Sequence, residues 1–161
     1  MISSLRRQAG RLLSLLAVVL LLTCTAHAQG ETPDLGQLME KTDLKVQALG
    51  REGYLVRYET DSGVDLDVLV VYWDESKEQV LIFSTVVDRE PGETFSPELL
   101  QKAMELNNGH PFAKFVLDPE HGDVDCQTEL DLAGLTPKAL TWHITWVASV
   151  SEKARDLFKG L

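Results

Sequence analysis

Downstream of residue 50, short β-rich runs alternate with polar turns, and this rhythm predicts most of the architecture. Tyr54-Leu55-Val56-Arg57-Tyr58 is followed by the turn Asp61-Ser62-Gly63, then by the dense β-forming run Val64–Trp73. Asp74-Glu75-Ser76-Lys77 turns the chain again into Val80–Val87. Loops this short leave no room for parallel crossovers, so these three strands form an antiparallel meander. A second pair, Phe112–Leu117 and Val124–Leu132, reads as a hairpin around Asp118–Asp123.

Three segments carry helical signals. Asp34 reads as an N-cap, and Gln37 completes a capping box ahead of Leu35, Leu38 and Met39. The helix end is open, because Leu44–Leu49 fits either its continuation or a short strand. Ser96-Pro97-Glu98 starts a second helix, with Leu99, Leu100, Ala103, Met104 and Leu106 as its apolar face and Asn107-Asn108-Gly109 as its stop. Thr136-Pro137 opens the last helix, which runs to about Phe158. Leu140, His143, Val147, Val150, Ala154 and Leu157 step along it by 3 and 4, a stripe suited to packing on a sheet. These elements define an α+β domain in the order α-βββ-α-ββ-α, with one extra early strand if Leu44–Leu49 is extended.

The first 28 residues have a different character. Arg6, Arg7 and Arg11 precede an apolar run, Leu12–Leu22, and Ala26-His27-Ala28 closes it. A basic start, a short apolar stretch and an A-x-A end are the three parts of a secretory signal peptide. The run is about eleven residues, well short of the roughly 20 that cross a bilayer as a helix. The reading is cleavage after Ala28, a short linker over 29–33, and a domain over 34–161, exported by the general secretory route to the periplasm or outside. An uncleaved anchor competes with it, as does lipidation at Cys24, where Thr23 replaces the small residue that should precede the cysteine. Twin-arginine export is disfavoured because Gln8-Ala9-Gly10 lacks the apolar residues that should follow Arg6-Arg7.

Charge then narrows the classes of partner. Loss of 1–28 removes three arginines and no acid, leaving 12 basic against 25 acidic residues, a net −13. Such a chain repels phosphate, which excludes a generic nucleic-acid binder, and it avoids anionic membrane surfaces once the leader is gone. One cysteine, Cys126, remains after cleavage. An unpaired cysteine in an oxidising compartment signals intermolecular pairing or a reactive thiol, and a half-buried strand residue is the plainer reading.

The element order and the central text, Met104-Glu105-Leu106-Asn107-Asn108 followed by Pro111-Phe112-Ala113-Lys114-Phe115-Val116-Leu117-Asp118, resemble the YbjN-domain family. The resemblance spans roughly Leu35–Phe158. It implies the fold of bacterial type III secretion chaperones such as the Tir chaperone. It also implies a non-catalytic role in binding or chaperoning another protein, often as a dimer.

The chemistry-bearing residues fit that implication. His110 and His121 read as solvated turn residues, and no His-Glu-x-x-His or Cys-x-x-Cys occurs. A zinc site would need His110, His121 and Cys126 from different elements. The acidic turn from Asp118 has its glycine one position early for a calcium loop. No Gly-x-Ser-x-Gly or glycine-rich phosphate loop is present, and carboxylates such as Glu98 and Glu105 read as a wet helix face. The expectation is therefore no enzyme, no cofactor and no metal. The candidate binding residues are Trp142 and Trp146, which are four apart and so lie one above the other on the flank of the last helix. They either widen the core contact or form a docking surface, with the sheet aromatics Tyr58 and Tyr72 as candidate contributors. The expected partner is a protein or peptide client; the alternatives are a homodimer without a foreign client and an enzyme with an unfamiliar site.

Overall fold

The computed structural model describes residues 32–50, 53–90, 92–118 and 120–161. The leader read over 1–28, with Cys24, and positions 29–31 of the linker lie outside the described residues, as do the turn residues 51, 52, 91 and 119. Residues Thr32–Leu161 form one unit. Helix α1 (Leu35–Glu40) begins at Asp34, whose Oδ1 accepts the Gln37 N–H at 3.2 Å. Strand β1 (Val46–Ala48) follows, so the ambiguous Leu44–Leu49 segment resolves as the extra strand.

Strands β2 (Gly53–Glu59), β3 (Asp65–Tyr72) and β4 (Gln79–Val87) make the expected meander. Helix α2 (Pro97–Gly109) leads to β5 (Lys114–Asp118) and β6 (Asp123–Asp131), and α3 (Pro137–Phe158) closes the chain. All pairings are antiparallel in one six-stranded sheet, ordered β1-β2-β3-β4-β6-β5. Strand β6 therefore inserts beside β4, and β5 becomes an edge.

Period-two burial shows where the core lies. Val56, Val68, Val70, Val80, Ile82, Val124 and Cys126 point to one face and are buried. Helix α3 packs on that face across β3, β4 and β6, and both other described helices touch α3. On the opposite face Leu55, Leu69, Val71 and Phe83 are partly buried and Leu81 is buried, and no described helix covers it.

Several expectations are corrected here. The buried stripe of α3 is Leu140, Ile144, Val147, Ala148, Ser151, Ala154 and Phe158, with Val150 at its margin. His143 is half-buried on the flank and Leu157 is 46% exposed, so neither belongs to the stripe. Starting the count at His143 instead of Ile144 rotates the face by one residue. On α2, Leu99 and Ala103 are buried, whereas Leu100 and Met104 are exposed. Only a narrow seam of this helix meets the rest of the domain, beside β5 and α3. The helix runs through Gly109 and ends in extended backbone at His110, φ −121°, so left-handed residues do not stop it. Cys126 is fully buried, not half-buried. Among the described residues, no helix is long and apolar enough to cross a membrane.

Candidate functional site

Asn107 organises the corner where α2 hands over to β5. Its side-chain Oδ1 accepts the Phe115 N–H at 2.6 Å, and its Nδ2 donates to the Phe115 carbonyl at 3.1 Å. The carboxamide thus pairs with the Phe115 peptide as a neighbouring strand would, and it blocks the outer edge of β5 there. Lys114 Nζ adds a bond to the Asn107 carbonyl at 3.3 Å. Held at this point, the chain reaches its strand only at Lys114. Phe112, expected as a strand residue, instead sits in the preceding turn and is 52% exposed.

Phe112 lies against the N-terminal half of α3. The Trp142 and Trp146 rings stack with centroids 5.5 Å apart and planes 15° from parallel. Phe112 meets Trp142 edge-on at 5.5 Å and Trp146 edge-on at 6.4 Å. These are the favourable offset-stacked and T-shaped arrangements, each about 0.5–1.5 kcal/mol beyond burial alone. His110, expected as a solvated residue, is half-buried and sits edge-on to Trp146 at 6.5 Å and to Phe115 at 6.4 Å. The His143 ring touches Trp142 at 4.7 Å.

The cluster is graded from core to solvent. Trp146 packs against the hydrophobic core, while Trp142 stands 45% exposed. Trp146 therefore widens the core contact, and Trp142 is the ring left open to solvent. The Trp146 Nε1 and His143 Nδ1 are buried, and neither has a hydrogen-bond partner among the described residues. Burial holds the His143 imidazole below its ordinary value of 6.5, so the ring is neutral at pH 7.

Two hollows flank the exposed rings. One, about 390 Å³, lies between Pro111, Phe112, His143 and the β6 residues Thr128–Leu130. The other, about 620 Å³, runs along the far side of Trp142 past Pro137, Lys138 and Thr42. Trp142 lines the second hollow, and its ring meets Phe112 and His143 of the first. The arrangement offers apolar area and a few polar groups but no paired acid and base.

The two tyrosines lie elsewhere. Tyr58 pairs with Leu66 and Tyr72 with Val80, which places both on the helix-covered face, half-buried against the core. The Tyr72 hydroxyl accepts the Leu35 N–H at 3.4 Å and donates to Asp34 Oδ2 at 3.5 Å, bracing the start of α1. Burial raises its pKa. Among the described residues neither tyrosine ring meets a tryptophan. Sequence reasoning missed Phe112 and His110; the signal available was the motif itself, where Pro111-Phe112 follows a helix end.

The other candidate chemistry falls into turns. The Asp118 carboxylate accepts the Glu120 and His121 N–H groups and the His121 ring, which holds Asp118 below the usual carboxylate range and raises His121. No group of three His, Cys, Asp or Glu side chains among the described residues could hold a metal ion.

Comparison with known families matches residues 47–159 to YbjN, described as "Putative bacterial sensory transduction regulator". The chain belongs to the YbjN family. The YbjN match takes in the sheet from Gln47 onward, Asn107 with the strand it grips, and the whole aromatic cluster. No curated protein matches. Among solved structures, this YbjN chain is similar to a chain of the "Structure of the HopA1-SchA Chaperone-Effector Complex", at 13% identity and a TM-score of 0.47. That likeness covers 75% of the YbjN chain and 87% of the other.

Proposed function

We propose that this YbjN-family chain is an exported, non-catalytic binding module that docks a protein client on the Phe112–Trp142–Trp146 cluster. The observation that carries the reading is the placement of two large aromatic side chains, Phe112 at 52% and Trp142 at 45% exposed, edge-on to each other beside the core-packed Trp146. Aromatic anchors of this kind dominate binding energy because they bury a large area with few rotatable bonds. The family's description as a regulator is in keeping with action through a partner. Export rests on the leader pattern over residues 1–28.

Affinity capture from the extracytoplasmic fraction tests the reading. The protein is compared with Trp142→Ala and with Phe112→Ala, each shown by circular dichroism to remain folded. The expected outcome is a defined client retained by the parent and lost by both variants. A client retained equally by both variants removes the docking surface. Capture of the protein's own copy alone replaces the client with a homodimer.

A further inference from the structure

The 390 Å³ hollow beside Phe112 has a floor with a particular property: it is the unaccompanied end of a strand. Strand β5 pairs with β6 only from Asp118↔Asp123 to Lys114↔Gln127, whereas β6 continues to Asp131. On the other side of β6, Val80 faces Leu130, and the Leu132 N–H bonds the Glu78 carbonyl at 2.8 Å. Even-numbered β6 residues therefore direct their peptide groups toward β4. Peptide groups alternate in an antiparallel ladder, so Glu129 and Asp131 direct theirs outward, past the point where β5 has turned away. No backbone bond among the described residues takes them up.

From this geometry we infer that an extended segment of a partner protein adds as a short strand to the free end of β6. The inference rests on the proposed docking role of the aromatic cluster and specifies how the client lies there. Backbone bonds to Glu129 and Asp131 would supply register and affinity, and alternate side chains would supply specificity. The two faces of the added strand meet different surroundings. On the helix-covered side, Leu130, Phe112 and His143 line the hollow, with Trp142 ring-to-ring against both Phe112 and His143. On the other side, the Glu129 and Asp131 carboxylates are exposed, with Lys114 as the cation lining the hollow. The segment that fits alternates apolar or aromatic residues with basic ones.

A short acetylated and amidated peptide alternating lysine with phenylalanine and leucine is the probe, titrated into protein expressed from the full 161-residue chain. Tryptophan fluorescence reports binding, and amide hydrogen exchange by NMR reports Glu129 and Asp131. Strand addition predicts a fluorescence change together with new protection at both amides. It predicts that N-methylating the peptide amides that face β6 weakens binding about tenfold or more, the loss of a hydrogen bond or two. It also predicts that Glu129→Lys, which leaves the aromatic cluster intact, favours a glutamate-containing analogue over the lysine peptide. Binding that is lost in Trp142→Ala but shows no protection at Glu129 and Asp131 overturns strand addition and leaves the aromatic docking surface standing. So does indifference to N-methylation. Failure of the peptide to bind at millimolar concentration overturns strand addition, and so does protection of both amides in the free protein. Either result leaves the client capture above to judge the surface itself.

Discussion

Cys126 sits opposite Ser84 in the β4–β6 ladder with no exposed surface, and burial pushes its thiol up to about 12. Ser151 from α3 lies beside it. At pH 8 almost none of the thiol is thiolate, so iodoacetamide should leave Cys126 of the native protein unmodified and label that residue only as urea opens the sheet. Labelling at the same rate with and without urea would contradict this burial. Neither Ser84 nor Ser151 has a partner for its hydroxyl among the described residues, an arrangement invisible in the sequence because it joins positions from three elements. The register of α3 was also beyond the sequence at this scale. His143 and Ile144 are adjacent, and either begins a 3–4 repeat; packing decides between them. Ile144→Ala should cost about 2–5 kcal/mol in urea unfolding, the range for a large aliphatic residue emptied from a core. Leu157→Ala should stay within about 0.5–1 kcal/mol, since that side chain is 46% exposed.

Among the elements, the caps were the most legible. Asp34, Ser96 and Thr136 each accept the N–H of the residue three positions on, at 3.2, 3.1 and 3.2 Å, as short polar side chains ahead of an apolar repeat should. The strands of the meander were legible for a similar reason: β-branched runs between polar turns have one reading. What failed was the end of α2 and the start of β5, where the decisive interaction is a side chain reaching across eight residues to a backbone peptide. Asn107 looked like a helix stop and is instead a surrogate strand. Asn107→Ala should destabilise the domain by about 1–3 kcal/mol, because the Phe115 N–H and carbonyl lose a donor and an acceptor together. Asn107→Asp should be no better than alanine, since a carboxylate keeps the bond to the N–H but faces the carbonyl with a second acceptor. Denaturant midpoints for both variants check this, and full stability of the aspartate variant would show that the bond from Nδ2 contributes nothing.

The order of elements across the whole molecule follows from local signals, and those signals also predicted the α+β class. The strand order does not, because nothing in a β-rich run says that β6 will lie beside β4 and push β5 to the edge. The tryptophan pair was visible as an i, i+4 repeat, yet its division into one anchored and one exposed ring depends on Phe112, which arrives from another element. The insertion of β6 also governs when the chain can become a folded object. Strands β1 to β4 pair residues 6 to 18 apart in the chain, but the β4–β6 seam joins partners 37 to 52 residues apart. Contacts of such long separation form late and slowly, since loop closure must be met before they are rewarded. The buried face of the meander stays uncovered until α3, the last element, has been synthesised. The proposed export would require the polypeptide to reach a narrow channel as an open thread. The connectivity described here would keep the chain in that open form, because the meander has no cover for its apolar face until β6 and α3 join it.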